Sequence, residues 1–402
     1  MCDMTIATSP ITTSPDLSAM VSVFLPSARP PRIPLFTDAD YATQRAFFRA
    51  HTELQPTPLR RFPALARALG VADLYAKDET HRFGLNAFKA LGALFAIETL
   101  RARGELARHD TLVCASEGNH GRAVAYAARK AGCEARVYLA ENVAAARAAA
   151  IESEGATVVR VTGTYEDALR KMTADVQANG WRVISDTALA GEPVSVPRLI
   201  MLGYTRLMDE AESQWLPDPP PDAIFVPAGV GGLLAAVADW TFQRFDGERP
   251  AIICVEPATA ACVQFSARHG RPTTLDGPFD TAMAGLRCGE VSRAGFDTVV
   301  SGVDAFLAID DAWAFDAMRH LASGVGGDPM VRTGASGAAA LAGWLALSRD
   351  PALAEMKNKV GLGPGSRILV LVTEGVTDPA LFAAVVGSPT SEHSRGETAE
   401  PS

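Results

Sequence analysis

Positive charge is in short supply in this chain: 37 Lys and Arg against 46 Asp and Glu leave its 402 residues at a formal net charge of −9 at pH 7. With no basic block interleaved with aromatics, a nucleic-acid partner is disfavoured and small-molecule chemistry is favoured. Cysteine is scarce too. The six, Cys2, Cys114, Cys133, Cys254, Cys262 and Cys288, form no CxxC pair and no Cys/His spacing of the zinc-site kind. They read as reduced, mostly structural thiols, and no metal is expected. Long apolar runs are missing as well: "AMVSVFL" is short and is followed by "PSARPPRIP", and the N-terminus has no basic n-region. No membrane association is expected, and the cytoplasm is the expected compartment. GxSxG is absent, and no glycine loop is followed by the Lys-Ser/Thr of a P-loop.

What is present is a core. At 48% hydrophobic content, a chain of 402 residues can bury two domains or one large two-lobed unit. Short β-branched runs alternate with alanine-rich stretches: "TLVCAS" before "GRAVAYAARKAG", "ARVYLA" before "VAAARAAAIESEG", "TVVRVTG" before "YEDALRKMTADVQANG". A second series contains "DAIFVPAG", "AIICVE" and "RILVLVTEG". This repeated β-α signature predicts an α/β protein with two doubly wound, mainly parallel sheets. Residues 1–30, rich in Ser, Thr and Pro, and residues 388–402 are poor in core formers and are expected to be disordered.

The stretch "RFGLNAFKALGALFAI" sets Lys89 in what reads as the start of a buried helix capped near Asn86. Leu85, Gly92, Ala93 and Ala96, which share its face, cannot pair with an ammonium, and no acid lies nearby in sequence. The side chain either snorkels to water or is an amine whose pKa is lowered by burial and by the positive end of the helix. An amine of the second kind is a nucleophile towards aldehydes.

Three strand-to-loop junctions stand out, because ligands gather at the carboxyl ends of strands in doubly wound sheets. In "CASEGNHGRAVAYAA", Asn119 offers a donor and an acceptor, and His120 is the one histidine in a glycine-rich loop. In "FVPAGVGGLLAAV", Gly229, Val230, Gly231 and Gly232 end a strand and open a helix, which suits a phosphate. In "LVLVTEGVTDP", Thr373 and Glu374 follow a strand, where a hydroxyl either meets a heteroaromatic nitrogen or caps a turn. Asp186, after another strand, is either catalytic or a turn cap. A candidate Schiff-base lysine, an asparagine loop and a phosphate-type loop in this order together describe a pyridoxal 5'-phosphate site.

"KDETHRFGLNAFKALGALFAI", "EGNHGRAVAYAAR", "PAGVGG", "CVEPATAACV", "TAMAGLRCGE" and "TEGVTDP" together resemble the diaminopropionate ammonia-lyase family, whose members are fold type II pyridoxal phosphate enzymes related to threonine and serine dehydratases. The similarity runs from "LRRFPAL" to "TEGVTDPALF". It implies a tryptophan synthase beta-like pair of α/β domains, the larger from 31–88 plus 200–387 and the smaller from 89–199, with the cofactor between them, in a homodimer. By motif, it implies that Lys89 bonds the cofactor, that Asn119 holds its phenolic oxygen, and that Gly229, Val230, Gly231 and Gly232 hold its phosphate. Thr373 would face the ring nitrogen, and Asp186 and Glu117 would be catalytic.

The implied reaction removes ammonia from an amino acid substrate, 2,3-diaminopropionate, to give pyruvate and a second ammonia. Two departures from the family pattern bear on substrate choice: Glu117 stands where the family has Asp, and Val376 replaces an acidic residue. A serine/threonine dehydratase-like or β-replacement enzyme on the same scaffold is the alternative, and a non-catalytic binding protein a more distant one.

Overall fold

The computed structural model describes residues 21–27, 30–116, 118–188, 191–245 and 247–387. Among the described residues, eleven strands build two sheets. They are β1 (Val21–Phe24), β2 (Leu59–Arg61), β3 (Asp73–Asp78), β4 (Thr111–Ala115), β5 (Glu134–Ala140), β6 (Thr157–Val161), β7 (Arg182–Val183), β8 (Ala223–Pro227), β9 (Ala251–Pro257), β10 (Ala305–Ile309) and β11 (Arg367–Val372). The larger sheet runs β1-β10-β9-β8-β11-β3-β2 and the smaller β6-β5-β4-β7. All pairings in the small sheet are parallel. In the large sheet the five central strands are parallel, and β1 and β2 add antiparallel edges.

Central parallel strands are covered on both faces, so they read as continuous apolar runs. "AIFVP" of β8 is buried at all five positions, and β11 is buried at every position after its first. The sequence-based picture of an α/β protein with mainly parallel sheets therefore holds.

At the amino end the outcome differs from the compositional expectation. Val21–Phe24 is a strand, in register with Phe306–Ile309 of β10, and Ser22 donates to Gln264 Oε1 at 3.0 Å. A Ser- and Pro-rich average over thirty residues conceals four residues of strand-forming character. Residues 1–20 and 388–402 lie outside the described residues.

Every strand before residue 89 or after residue 199 lies in the large sheet, and β4 to β7 make the small one. The helix Lys89–Ala102 lies in sequence between β3 of the large sheet and β4 of the small one. It is apolar nearly all round, as a helix buried on every side must be, and ten of its residues are buried. One apolar cluster runs through it from Leu112 and Val137 of the small sheet to Ile224 and Leu369 of the large one.

The helix crosses Ser195–Tyr204 at close range. A Cβ on Gly92 would sit 2.5 Å from Tyr204 Cε1, so only glycine allows the approach. The ring of Phe88 meets that of Tyr204 edge-on at 4.7 Å. These contacts fix where the first turn of the Lys89 helix lies.

Candidate active site

The loop that delivers Lys89 leaves β3 and is clamped from below. Arg82 is fully buried and donates to Glu79 Oε1 at 2.6 Å and to Glu210 Oε2 at 2.7 Å. Lys77 joins the same carboxylate at 2.9 Å and reaches the Thr57 carbonyl at 2.6 Å. Above this cluster Phe83 and Asn86 take left-handed backbone angles, φ 51° and 60°. The Asn86 carbonyl accepts from Gly375 N at 2.8 Å, and Phe88 N donates to Thr373 O at 3.2 Å. Asn86 is thus not the cap of a helix, as the sequence suggested; the helix begins at Lys89 with no side-chain cap.

Lys89 is not without an acid. Asp186, 97 positions further on, follows β7 and pairs with Lys89 Nζ. Burial disfavours the Lys89 ammonium, but the Asp186 carboxylate outweighs it and holds the pKa above its ordinary value. This reverses the expectation of a lowered pKa, which was formed with no acid in view. Burial pushes Asp186 up, while the two bases that flank it, His120 and Lys89, hold it well below the usual carboxylate range.

The other candidates converge on the same space. At the end of β4, Asn119 and His120 open the helix Asn119–Ala131, and Asn119 Nδ2 donates to Glu374 Oε2. Glu374 and Thr373 follow β11 and are buried, and burial pushes the Glu374 carboxyl above its ordinary range. At the end of β8, Gly231 has φ 88°, which favours glycine, and turns the chain into the helix Gly232–Arg244. That helix start has no side-chain cap, so its orphan N–H groups and the positive end of its dipole face the cavity.

A cavity of about 1280 Å³ collects Lys89, Asn119, Asp186, Gly229, Val230, Gly231, Gly232 and Thr373 in its wall. It lies at the carboxyl ends of β3, β4, β7, β8 and β11, and both sheets contribute. Glu117 lies outside the described residues.

Two groups in this arrangement carry no assigned role in the sequence reading. Glu374 was legible as the partner of Thr373 in "TEG", but nothing local signals its contact with Asn119. Tyr204, beside Lys89, sits in an ordinary apolar helical run, and burial pushes its phenol up. An amine at the wall and an uncapped helix start suited to an anion fit a phosphorylated aldehyde.

Comparison with known proteins agrees with this fit. The family model described as pyridoxal-phosphate dependent enzyme matches residues 51–374. The chain is 33% identical over 369 residues to diaminopropionate ammonia-lyase of Escherichia coli K12, covering 88% of this chain and 92% of that one. It is 27% identical over 358 residues to a biosynthetic L-threonine dehydratase of Corynebacterium glutamicum, covering 87% of this chain and 74% of that one. The crystal structure of the E. coli ammonia-lyase in complex with an aminoacrylate-PLP azomethine reaction intermediate aligns with a TM-score of 0.84 at 32% identity, over 92% of this chain and 97% of that one.

Proposed function

The chain belongs to the pyridoxal-phosphate dependent enzyme family, and from that premise we propose that it eliminates ammonia from 2,3-diaminopropionate, leaving pyruvate and a second ammonia. The observation that carries the choice of substrate is Asp186, an ionised carboxylate in the cavity wall beside Lys89. Diaminopropionate brings a second ammonium where serine or threonine brings a neutral hydroxyl; both can donate a hydrogen bond to a carboxylate, but only the ammonium adds an attraction of opposite charges.

When bound, the cofactor supplies a covalent partner for amines and an electron sink for the α-carbanion. The uncapped helix start at Gly229, Val230, Gly231 and Gly232 would hold its phosphate, Asn119 its phenolic oxygen and Thr373 its ring nitrogen. Lys89 would be its covalent anchor, and substrate binding would free the Lys89 amine. The freed Lys89 amine then removes the α-proton of the L-isomer. Asp186 holds the β-nitrogen as ammonium, so that the bond to carbon breaks with neutral ammonia as the leaving group. Glu117 is our candidate base for the opposite face.

We further read the lobes 31–88 plus 200–387 and 89–199 as two domains, the enzyme as a homodimer and the cytoplasm as its compartment; among the described residues no helix is long and apolar enough to cross a membrane. Val376, which lines the cavity, favours the second reading, a dehydratase-like or β-replacement enzyme, because it leaves the wall less negative than an acidic residue would.

The test is pyruvate release from L- and D-diaminopropionate and L-serine, and 2-oxobutyrate release from L-threonine, by protein purified with pyridoxal phosphate, with Lys89→Ala as the blank. Pyruvate from diaminopropionate that the variant fails to form supports the proposal. Protein that carries cofactor and leaves diaminopropionate untouched refutes it and moves the assignment to the second reading.

A further inference from the structure

The Lys89–Asp186 pair has a neighbour that the mechanism above leaves idle. His120 is buried, with its Nε2 2.8 Å from the carbonyl oxygen of Ile184. A carbonyl only accepts, so Nε2 carries the proton and Nδ1 is left as a bare acceptor. That Nδ1 is buried and, among the described residues, has no hydrogen-bond partner. It lies 3.8 Å from Asp186 Oδ2, the same oxygen that takes the Lys89 ammonium. A lone pair facing a carboxylate oxygen gains nothing, whereas one proton between them would satisfy both. Buried polar atoms are almost always paired, so an exception beside a reactive amine calls for a cause.

We propose that His120 is a positioning residue that replaces Lys89 as the cation opposite Asp186: when the Lys89 amine becomes neutral, His120 Nδ1 holds the proton instead. The inference rests on the reading of Lys89 as the cofactor-bonding amine and adds where its proton goes. One N–H bond breaks at Lys89 Nζ and one forms at His120 Nδ1. Asp186 ends as the carboxylate it began as, no electrons change hands, and the three groups stay at net zero charge throughout.

The physical need is plain. Until a substrate ammonium arrives, a largely buried carboxylate stripped of the Lys89 cation is costly, and an amine so tethered would resist losing its proton. Exchange between two bases removes that cost.

The surrounding groups leave His120 as the one suited to this task. The Cys114 thiol of β4 and the Tyr204 phenol both interact with Asp186, and burial pushes both up, so they stay neutral near pH 7. Cys288, which also lines the cavity, interacts with Lys89. With Lys89 charged, burial and the ammonium hold His120 below its ordinary value while Asp186 pushes the other way. Removal of the ammonium leaves Asp186 as the one charge in that balance among the described residues, and the imidazole must then bind its proton more tightly.

The test follows the seven histidines of the full-length protein by ¹⁵N NMR across a pH titration without added cofactor. Wild type is compared with Lys89→Met and, should that variant fail to fold, with Lys89→Gln. One histidine, neutral with its proton on Nε2 in wild type near pH 7, is expected to gain proton affinity by about tenfold or more when the ammonium is removed. His120→Gln, whose amide can still donate to the Ile184 carbonyl, should delete that resonance. A titration in which no histidine midpoint differs between wild type and the Lys89 variants overturns the proposal.

The reading of Lys89 is judged separately, by whether wild type bound to pyridoxal phosphate shows a visible absorbance that the Lys89 variants lack. Failure there with a shifted histidine would sink the cofactor role alone. A normal absorbance with an unmoved histidine would sink the proton exchange alone.

Discussion

Two lysine–carboxylate clusters lie at either end of the same loop, and they are built on opposite principles. Below it, Lys77 spends its three ammonium protons on the Thr57 carbonyl, Glu210 and Gln214, at 2.6, 2.9 and 3.4 Å, and Arg82 is bonded to two carboxylates. Nothing in it faces the cavity. At the loop's far end Lys89 lines the cavity and, among the described residues, has one carboxylate partner and stands beside a histidine nitrogen with no partner. Burial lowers the pKa of Lys77 despite its carboxylates, while Asp186 raises that of Lys89. A saturated network fixes a backbone; an unsaturated one can exchange protons and partners.

Cutting each cluster at its cation should separate the two roles. Lys89→Ala is expected to lower pyruvate formation from diaminopropionate at least a thousandfold, measured by steady-state kinetics, with a smaller loss in the denaturation midpoint than Arg82→Met, because His120 can take over as the cation opposite Asp186. Arg82→Met should do the reverse in order of cause. It leaves Glu79 and Glu210 with one fewer buried cation, and a loss of about 3–5 kcal/mol in chemical denaturation is expected. Activity would then fall only as the Phe83–Asn86 turn loosens. An Arg82→Met protein as stable as wild type, yet inactive, would break the distinction.

Another buried carboxylate sharpens the contrast, because among the described residues no cation pairs with it. Glu256 on β9 accepts from Val263 N and Gln264 N, each at 2.8 Å, and burial pushes its pKa up to about 8. A group whose folded pKa is raised contributes stability that is complete below its unfolded value and is lost as pH rises towards the folded one. Wild type should therefore lose stability relative to Glu256→Gln between about pH 4.5 and 8. From pH 6 to 8.5 the expected relative loss is on the order of 2 kcal/mol, read from urea midpoints of both proteins. A pH-independent difference would mean that the two backbone amides alone keep Glu256 ionised.

Much of this was legible in the chain before any fold was known, for reasons that differ from residue to residue. Apolar runs such as "ILVLV" announce parallel strands because burial on both faces leaves no alternation to misread. Lys89 announced itself by being a cation in an apolar stretch, and Gly229 to Gly232 by spacing at a strand end. The partner of Lys89 stayed hidden, since Asp186 is 97 residues away and pairing at that distance is a product of topology. The sign of its pKa shift was misjudged for the same reason. His120 was visible as a residue in a glycine loop, but its idle nitrogen appears only once Ile184 and Asp186 are set beside it.

The smallest effect concerns the cavity wall. Val376 lines the cavity, is only partly buried and packs against the core of the large lobe, in a position where a carboxylate would keep access to water. Val376→Asp adds a charge at that wall without removing a buried contact of consequence. An exposed charge pair contributes about 0.2–1 kcal/mol, so the ratio of kcat/KM for diaminopropionate over serine should rise about 1.4- to fivefold. The gain should shrink as salt is added, because a partly solvated pair is screened where the Lys89–Asp186 pair is not. If the ratio is unmoved at low salt, discrimination between ammonium and hydroxyl lies with Asp186 alone. In that case the open cluster around Lys89 would carry both proton transfer and substrate choice.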